Sequence, residues 1–295
     1  MAFAPWKKSV VSWHKGDTLC LSVPFTWLME KAKQMAYQHS GPVWVGGPAV
    51  RLLGKPQWCS TDCPDDDESA LDRHNPQATF TTRGCPNACP FCAVPRIDGK
   101  FRELQTWPIR PIVCDNNFFA SSRKHIEKVI DSLKDLEYVD FNQGLDARLF
   151  TDWHADQLAR LRSVKVRFAY DSAGMESKVA DAVKRARKHK LHDLGCYVLI
   201  GYRDTPADAV HRLEKVRSWN IRPPPMRYQP LNAMRKNVHV AEGWTEEKLR
   251  KVMKYYSRLR WFEHIPFKEF KYLIRDTDDG SQFCGTFWPK RKPNL

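Results

Sequence analysis

Three cysteines stand close together in segment 81–92, which reads TTRGCPNACPFC. Cys85, Cys89 and Cys92 follow one another at intervals of four and three residues. In a chain without secretory features, thiols at this density more often ligate metal than form disulfides, and iron–sulfur clusters are held by such runs. Three ligands leave one iron of a four-iron cluster without a protein thiolate, as a catalytic zinc site keeps an open position. The spacing therefore predicts a cluster with one open coordination site.

The residues around these cysteines resemble the signature of the radical S-adenosylmethionine (SAM) superfamily. That signature has three cysteines at this spacing and an aromatic residue just before the third, which is Phe91 here. The flanking segments 83–86 (Arg-Gly-Cys-Pro) and 92–95 (Cys-Ala-Val-Pro) are similar to its methylthiotransferase-like and cobalamin-associated branches. The overall pattern is similar to small radical SAM proteins of phages and prophages.

The resemblance implies a specific chemistry. SAM would bind the open iron of a [4Fe-4S] cluster, and the reduced cluster would cleave it to methionine and a 5′-deoxyadenosyl radical. That radical would take a hydrogen atom from a substrate that the protein positions and shields from water. Cys85, Cys89 and Cys92 are then the metal ligands and the catalytic residues, and an electron donor such as a flavodoxin is an expected partner. The alternative is a zinc knuckle whose fourth ligand lies elsewhere.

The elements that must position this loop are predicted as alternating strands and helices, an α/β fold. Strands are expected at 78–82, 111–117, 138–141, 164–170, 196–201 and 224–231. Helices are expected from about Ser122, Thr151 and Thr205, where capping residues precede apolar residues at helical spacing. An eight-unit barrel takes roughly 250 residues, whereas residues 78–232 suffice for five to six units. We therefore expect a partial (β/α)6 TIM-like barrel of the radical SAM type, open to a bulky substrate.

Polar residues follow these strands at the ends where ligands bind in β/α barrels and open parallel sheets. The candidate SAM-binding or substrate-binding residues, with Phe91, are Asp115, Asn116, Asn117, Gln143, Asp146, Arg148, Asp171, Ser172 and Gly201.

Two of these groups have alternatives. In the family that the chain resembles, a Gly-Gly-Glu after the second strand holds the SAM ammonium. Here residues 115–117 read Asp-Asn-Asn, which keeps acceptor oxygens. The alternative is an Asx-rich turn that caps the next helix. For Asp146 and Arg148 the alternative is a buried structural ion pair. The strand ending at Gly201 is similar, without a full match, to a family strand beside the adenine.

The predicted barrel is preceded by residues 1–77, expected as a small N-terminal α/β extension with an acidic linker. A helix over 25–38 and a buried strand over 43–48 are indicated. Cobalamin is not expected, because the nearest match to its ligating motif, at 12–16, lacks the Asp and has the wrong His-to-Gly interval.

The remaining cysteines have less specific interpretations. Cys59 and Cys63 flank the acidic run 65–68 and could begin a second metal site with Cys284, although a solvated linker with incidental thiols is preferred. The others, Cys20, Cys114 and Cys196, are expected as buried apolar residues. Residues 233–295 are expected as a helical, aromatic and basic C-terminal segment, with a helix beginning at Thr245.

Positive charge is concentrated in the second half of the chain. The formal net charge is +14, and residues 181–260 carry nineteen Lys or Arg against eight Asp or Glu. Clustered basic side chains suit a polyanion, because they neutralise phosphates and release counterions. The excess includes the run 184–190, for which a solvated helix face is the alternative. It continues through Arg212, Lys215, Arg217, Arg222, Arg227, Arg235 and Lys236.

Trp219, Tyr228 and Trp244 lie among these basic residues, as base-stacking surfaces would. We therefore expect nucleic acid as a partner and a nucleobase in DNA or RNA as the substrate. Such a base would have to be single-stranded or flipped out to reach the radical. Two other functions stay open: radical chemistry on a peptide or small metabolite, and a zinc-containing nucleic-acid-binding module. No signal peptide or membrane span is expected, since the longest apolar patch, 18–28, is about half as long as a span needs. A cytoplasmic protein is predicted.

Overall fold

A computed structural model describes residues 4–60, 70–262, 264–271, 273–276 and 282–285, the last two ranges as backbone only. Cys63, the acidic run 65–68 and the side chain of Cys284 lie outside this description. The helices are α1 Met29–Tyr37, α2 Pro48–Leu53, α3 Ala70–His74, α4 Val94–Ile97, α5 Arg123–Leu133, α6 Asp152–Ala159, α7 Glu176–Lys188, α8 Pro206–Ser218, α9 Glu246–Ser257 and α10 Leu259–Phe262. The strands are β1 Val11–Lys15, β2 Thr18–Ser22, β3 Val43–Gly46, β4 Ala78–Thr79, β5 Thr82–Arg83, β6 Arg102–Glu103, β7 Ile112–Val113, β8 Val139–Phe141, β9 Val164–Tyr170, β10 Asp193–Ile200, β11 Pro225–Arg227, β12 Leu273–Asp276 and β13 Gln282–Gly285.

The central feature is a six-stranded parallel sheet in the order β4-β7-β8-β9-β10-β11. Each strand therefore lies beside the one that precedes it in this series. The order has no reversal, so the carboxyl ends of all six strands lie along one edge of the sheet. The predicted α/β class, with helices between parallel strands, is confirmed.

Strands β4, β7 and β11 are shorter than predicted: β7 covers two residues of the expected 111–117, and β11 covers three residues of the expected 224–231. Residues 78–82 were expected to be continuous, but β4 ends at Thr79, and Thr82 and Arg83 pair antiparallel with β6. The physical reason is Asp115, which accepts hydrogen bonds from the backbone N of Thr81 at 2.6 Å and of Thr82 at 3.0 Å. These bonds turn the chain away from the parallel ladder just before the cysteine loop.

The core lies between the sheet and its helices. In β9, Val164, Val166, Phe168 and Tyr170 are buried and alternate with half-exposed residues, as a period of two requires. On α5, the buried face is Ile126, Val129, Ile130 and Leu133. Burying each such side chain contributes roughly 1.5–3 kcal/mol, so this packing fixes the strand ends in place.

Helix starts follow the capping pattern of the sequence. The side chains of Ser122, Thr151, Thr205 and Thr245 each accept a backbone hydrogen bond at the start of α5, α6, α8 and α9. Helix α9 joins the main core through Leu249, Val252 and Tyr255, the last of which the sequence pattern did not single out. Cys20, Cys114 and Cys196 are buried, as expected.

The N-terminal part has its own small sheet and core. Strands β1 and β2 form an antiparallel hairpin, and β3 runs parallel to β2. Helix α1 follows a short 3₁₀ turn, Thr26–Leu28, and contributes Ala32 and Ala36 to this core. Among the described residues, no helix combines the length and apolar character that crossing a bilayer requires.

Candidate functional site

The cysteine loop begins at a position that only glycine can occupy. Gly84 has φ +77°, and a Cβ there would lie 2.4 Å from the backbone O of Lys100. Its N donates to Asn116 Oδ1 at 3.1 Å. The two ends of the loop are joined by an ion pair between Arg83 and the buried Asp98. The loop is therefore held at its base by contacts outside the cysteines themselves.

The three thiols of the loop lie within electrostatic reach of one another. Burial raises the pKa of Cys89, and the nearby Asp171 and Cys85 raise it further. Burial also raises the pKa of Cys92, to which Cys89 and Cys85 add. All three cysteines are half-buried. The loop thus gathers three thiols that repel one another as thiolates, a set that a cation would stabilise.

Cys85 receives hydrogen bonds from two neighbours. Asn87 N and Asn117 Nδ2 each donate to Cys85 Sγ at 3.4 Å. Hydrogen bonds to ligating sulfur are a means by which proteins tune iron–sulfur clusters. Asn117 Oδ1 is buried without a hydrogen-bond partner among the described residues. A buried orphan acceptor beside a thiol triplet fits a site that takes up a ligand with donor groups.

The loop supplies three free cysteine thiols as possible metal ligands. Within the described ranges, no three His, Cys, Asp or Glu side chains form a group that could hold one metal ion. Cluster ligands differ in this respect, because each thiolate binds its own iron. The absence of a single-ion site in the described part of the chain therefore does not bear on a cluster held by Cys85, Cys89 and Cys92.

The turn at residues 115–117 faces the cysteine loop with each of its three side chains. Asp115 is buried and, besides the backbone of Thr81 and Thr82, accepts from the Thr81 hydroxyl. Burial raises the pKa of Asp115 to about 6, against the lowering effect of those hydrogen bonds. The turn does not cap α5, whose N-cap is Ser122. Asn117 occupies the N-cap position of a short 3₁₀ turn, Phe118–Ala120, but its side chain makes no capping hydrogen bond there. Asp115 and Asn116 are engaged in shaping the loop, and Asn117 keeps a vacant acceptor.

A second charged group lies on the other side of the loop, near Cys89. Arg148 forms an ion pair with Asp146 at 2.6 Å, but only the Asp146 side of this pair is buried, whereas the structural alternative expected a buried pair. Asn87 Nδ2 donates to Asp146 Oδ2 at 3.1 Å, which ties this pair to the loop. Burial alone would raise the pKa of Asp146, but the hydrogen bonds from Arg148 outweigh it and hold that pKa below its usual value. The exposed side of Arg148 remains within electrostatic reach of Cys89 and Asp171.

Asp171 follows β9 and is the least compensated carboxyl of the site. Burial raises its pKa to about 6, although Arg212 and Arg148 act in the opposite direction. Its influence on Cys89 and Cys92 shows that it faces the same region as the thiols. The sequence prediction that Asp146, Arg148 and Asp171 converge at one edge of the sheet is consistent with this arrangement.

The other predicted residues differ in their surroundings. Gln143 and Ser172 are exposed at the ends of β8 and β9. Gly201 is buried, and its N donates to Asp204 Oδ1 at 2.9 Å. The Phe91 ring contacts Tyr202, the residue after Gly201, edge-on with 5.3 Å between centroids.

Sequence reasoning did not single out Asn87 and Tyr202. The only available signal for Tyr202 was an aromatic residue directly after a strand-end glycine. Asn87 lies inside the loop itself, and its contacts with Cys85 and Asp146 depend on the folded geometry.

Two cavities share Tyr228 in their lining, and the first of them adjoins the cysteine loop. One, of about 530 Å³, is bordered by Cys89, Cys92, Arg96 and Tyr228. The other, of about 630 Å³, is bordered by Tyr202, Tyr228 and His239 together with carboxylates such as Glu242. The Tyr228 ring contacts both Tyr202, at 4.7 Å, and His239, at 5.1 Å.

Part of the basic and aromatic set predicted to meet nucleic acid is buried. Arg212 has 1% of its side chain exposed and pairs with Asp204. Arg227 has 5% exposed and pairs with Glu246 at 2.6 Å. Trp244 is buried in the core, where its Nε1 donates to the backbone O of Asp204 at 2.9 Å. The prediction that these three side chains form a polyanion surface is wrong, because each satisfies a partner inside the fold.

Neither a protein family nor a curated protein matches this chain in sequence comparisons.

Proposed function

We propose that this chain is a radical SAM enzyme whose Cys85, Cys89 and Cys92 hold a [4Fe-4S] cluster. The observation that carries the proposal is the gathering of three mutually interacting thiols in one loop after the first strand of a parallel sheet. When bound, the cluster and SAM supply a 5′-deoxyadenosyl radical that takes a hydrogen atom from the substrate.

The sheet supports the same proposal. Six parallel strands in chain order are the winding expected of a partial (β/α)6 barrel. In such an arrangement the carboxyl ends of the strands surround one site, and the loop after β4 contributes the thiols. A small N-terminal α/β extension and a C-terminal helical segment complete the proposed architecture.

The surrounding residues have distinct roles in this proposal. Asn87 N and Asn117 Nδ2 donate to Cys85 and so withdraw negative charge from its sulfur. Arg148 presents positive charge toward Cys89. Both effects stabilise the thiolates against their mutual repulsion and favour the reduced, more negative state of the site.

Asn117 and Asp171 are the proposed acceptors for the SAM ammonium. Asn117 Oδ1 is a buried oxygen without a partner among the described residues. Asp171 is a half-buried carboxyl whose raised pKa reflects an incompletely compensated charge. An ammonium supplies both hydrogen-bond donors and the missing positive charge.

The proposed substrate is a nucleobase in DNA or RNA. The cavity beside Cys89 and Cys92 offers the Tyr228 ring for stacking and Arg96 for a phosphate. A polymer-bound base would enter it single-stranded or flipped out. An acidic one-electron donor of the flavodoxin type is the proposed reductant.

Anaerobic purification followed by iron, sulfide and zinc analysis tests the cluster. We expect about four irons and four sulfides per chain, and their loss in Cys85→Ser, Cys89→Ser or Cys92→Ser. Cys59→Ser is the matched control, because that half-buried thiol donates to the backbone O of Val43 and lies outside the loop. Stoichiometric zinc without iron or sulfide would replace the proposal with a zinc-binding module.

The substrate class is tested by the yield of 5′-deoxyadenosine from reduced enzyme and SAM. Single-stranded oligonucleotides should raise the yield, and peptides or free nucleotides should not. A rise with peptides alone would assign the radical chemistry to a different substrate.

A further inference from the structure

A patch beside the cysteine-lined cavity consists of five exposed side chains and the half-buried Trp27, and of these only Arg96 has a role in the proposed function. We define the mouth surface as Phe25, Trp27, Arg96, Met234, Arg235 and Lys236. The rings of Phe25 and Trp27 stack with centroids 4.7 Å apart and planes 6° from parallel. Between them in sequence, Thr26 Oγ1 donates to the backbone O of Ala233 at 2.5 Å. This contact joins the aromatic pair to the segment that carries Met234, Arg235 and Lys236.

The mouth surface is continuous with the cavity. Pro230, Leu231 and Asn232 line the cavity on the side opposite Cys89 and Cys92, and they lead directly into Ala233. Arg96 belongs to both, since it borders the cavity from α4. A ligand lying on the mouth surface would therefore have the cavity, and the cysteines, within reach of one of its groups.

The cations of the mouth surface are available to an external anion. Arg96, Arg235 and Lys236 are exposed, and in the described ranges no carboxylate lies within 4.0 Å of them. Residues 229–241 contain no Asp or Glu. By contrast, the buried side chains of Arg212 and Arg227 form ion pairs with Asp204 and Glu246. Exposed cations without counter-ions attract polyanions.

Apolar groups are exposed alongside these cations. Phe25 is 37%, Met234 54% and Val238 59% exposed. The segment is also ordered in place: Gln229 and Asn237 exchange hydrogen bonds at 3.1 Å, and Arg227 donates to the backbone O of His239 at 2.7 Å. Aromatic platforms beside cations are the features with which proteins hold single strands.

We infer that the mouth surface binds a single strand of nucleic acid, with bases on Phe25 and Trp27 and phosphates on Arg96, Arg235 and Lys236. This inference rests on the proposed function for its substrate class, and it assigns where the strand lies. One base of that strand is then adjacent to the cavity that Cys89 and Cys92 border.

Fluorescence anisotropy of labelled dT20 with the full chain, over a range of salt concentrations, tests the inference. In the double variant Arg235→Ala/Lys236→Ala the log–log salt slope should become shallower by about 1.4, because two phosphate contacts are lost. The matched control is Lys178→Ala/Lys184→Ala, which removes equal charge from exposed positions of α7. The control should keep the wild-type slope.

The aromatic contribution is tested separately. Phe25→Ala should weaken dT20 binding at least about fivefold, since each stacked base contributes on that scale. Tyr37→Ala, an exposed aromatic on α1, is the control and should bind as wild type does. Far-ultraviolet circular dichroism and the unfolding midpoint of each variant verify that the fold is retained.

Several outcomes would overturn the inference. One is an equal decrease of the salt slope in the Arg235→Ala/Lys236→Ala and Lys178→Ala/Lys184→Ala variants, and another is unchanged dT20 affinity in Phe25→Ala. The others are tighter binding of a duplex than of dT20, and binding of a polyglutamate of matched charge as tightly as dT20. A parallel rU20 series assigns DNA or RNA. Iron content is measured on the same preparations, so that strand binding without iron contradicts only the proposed cluster. Iron without any strand binding contradicts this inference and the proposed nucleic-acid substrate, and leaves the proposed cluster standing.

Discussion

Asn117 Nδ2 donates to Cys85 Sγ at 3.4 Å, although the two residues belong to loops after different strands. The other side-chain atom, Asn117 Oδ1, is buried without a partner among the described residues. The side-chain amide of Asn117 thus donates to a thiol through Nδ2 and presents Oδ1 as an acceptor for a ligand. The turn after β7 is therefore part of the cysteine site, and its two functions can be separated by substitution.

The first prediction separates these functions at Asn117. Asn117→Ala should weaken SAM binding about tenfold or more, because it removes an acceptor from a charge-assisted hydrogen bond. Asn117→Asp keeps an acceptor and should retain SAM binding, while both variants should shift the reduction potential of the proposed cluster through loss of the donor to Cys85. Calorimetry with SAM and a redox titration check this. Equal SAM affinity in wild type and Asn117→Ala would remove Asn117 from the ligand site.

The second prediction concerns Gly84. Gly84→Ala should destabilise the fold by more than the 1–2 kcal/mol that positive φ costs an L residue, because its Cβ would meet Lys100 O at 2.4 Å. Gly99→Ala is the matched control: it has φ +69° and open space around its Cβ. Urea unfolding of both variants measures the difference. A Gly84→Ala variant no less stable than Gly99→Ala would mean that the close approach does not exist.

The third prediction is a pH dependence of stability from Asp115. Burial raises its folded pKa to about 6 from 3.8, so the folded state binds the proton more tightly than the unfolded chain does. Stability contributed at this site is therefore highest below pH 4 and falls as pH rises to about 6, by about 3 kcal/mol for a shift of two units.

Asp115→Asn tests that sign. Asparagine can still accept from the backbone of Thr81 and Thr82, and it does not ionise. We expect the unfolding free energy of wild type, measured relative to that of Asp115→Asn, to fall between pH 4 and pH 6. A constant difference across that range would show that the carboxyl titrates alike in both states.

The fourth prediction distinguishes structural from exposed basic residues. Arg212→Ala should cost about 3–5 kcal/mol, because it leaves the largely buried carboxylate of Asp204 without its cationic partner. Lys215→Ala, which breaks an exposed pair with Glu176 at 3.2 Å, should cost less than about 1 kcal/mol. Urea unfolding measures both. Similar costs for the two variants would contradict the buried position of Arg212.

Sequence patterns located the elements well where the signal is local. The strand predicted at 164–170 is β9 at the same bounds, because its alternation reflects one buried face. The helix starts at Ser122, Thr151, Thr205 and Thr245 agree with the structure, because a cap bonds to backbone only three residues away. The strand at 78–82 was predicted too long, because Asp115, 34 residues from Thr81, captures its backbone.

The amino-acid order alone determined the thiol triplet, the alternating strands and helices, and the polar residues at the strand ends. Each of these depends on neighbours within a few positions, which a sequence displays directly. The tertiary structure decided which basic side chains are paired inside the fold and which are exposed. Arg212 pairs with Asp204, which also accepts a hydrogen bond from Trp244, whereas Arg235 and Lys236 stay exposed. That division depends on burial and on partners distant in sequence. Composition does not reveal it, because the composition is the same whether a cation is buried in an ion pair or exposed to solvent.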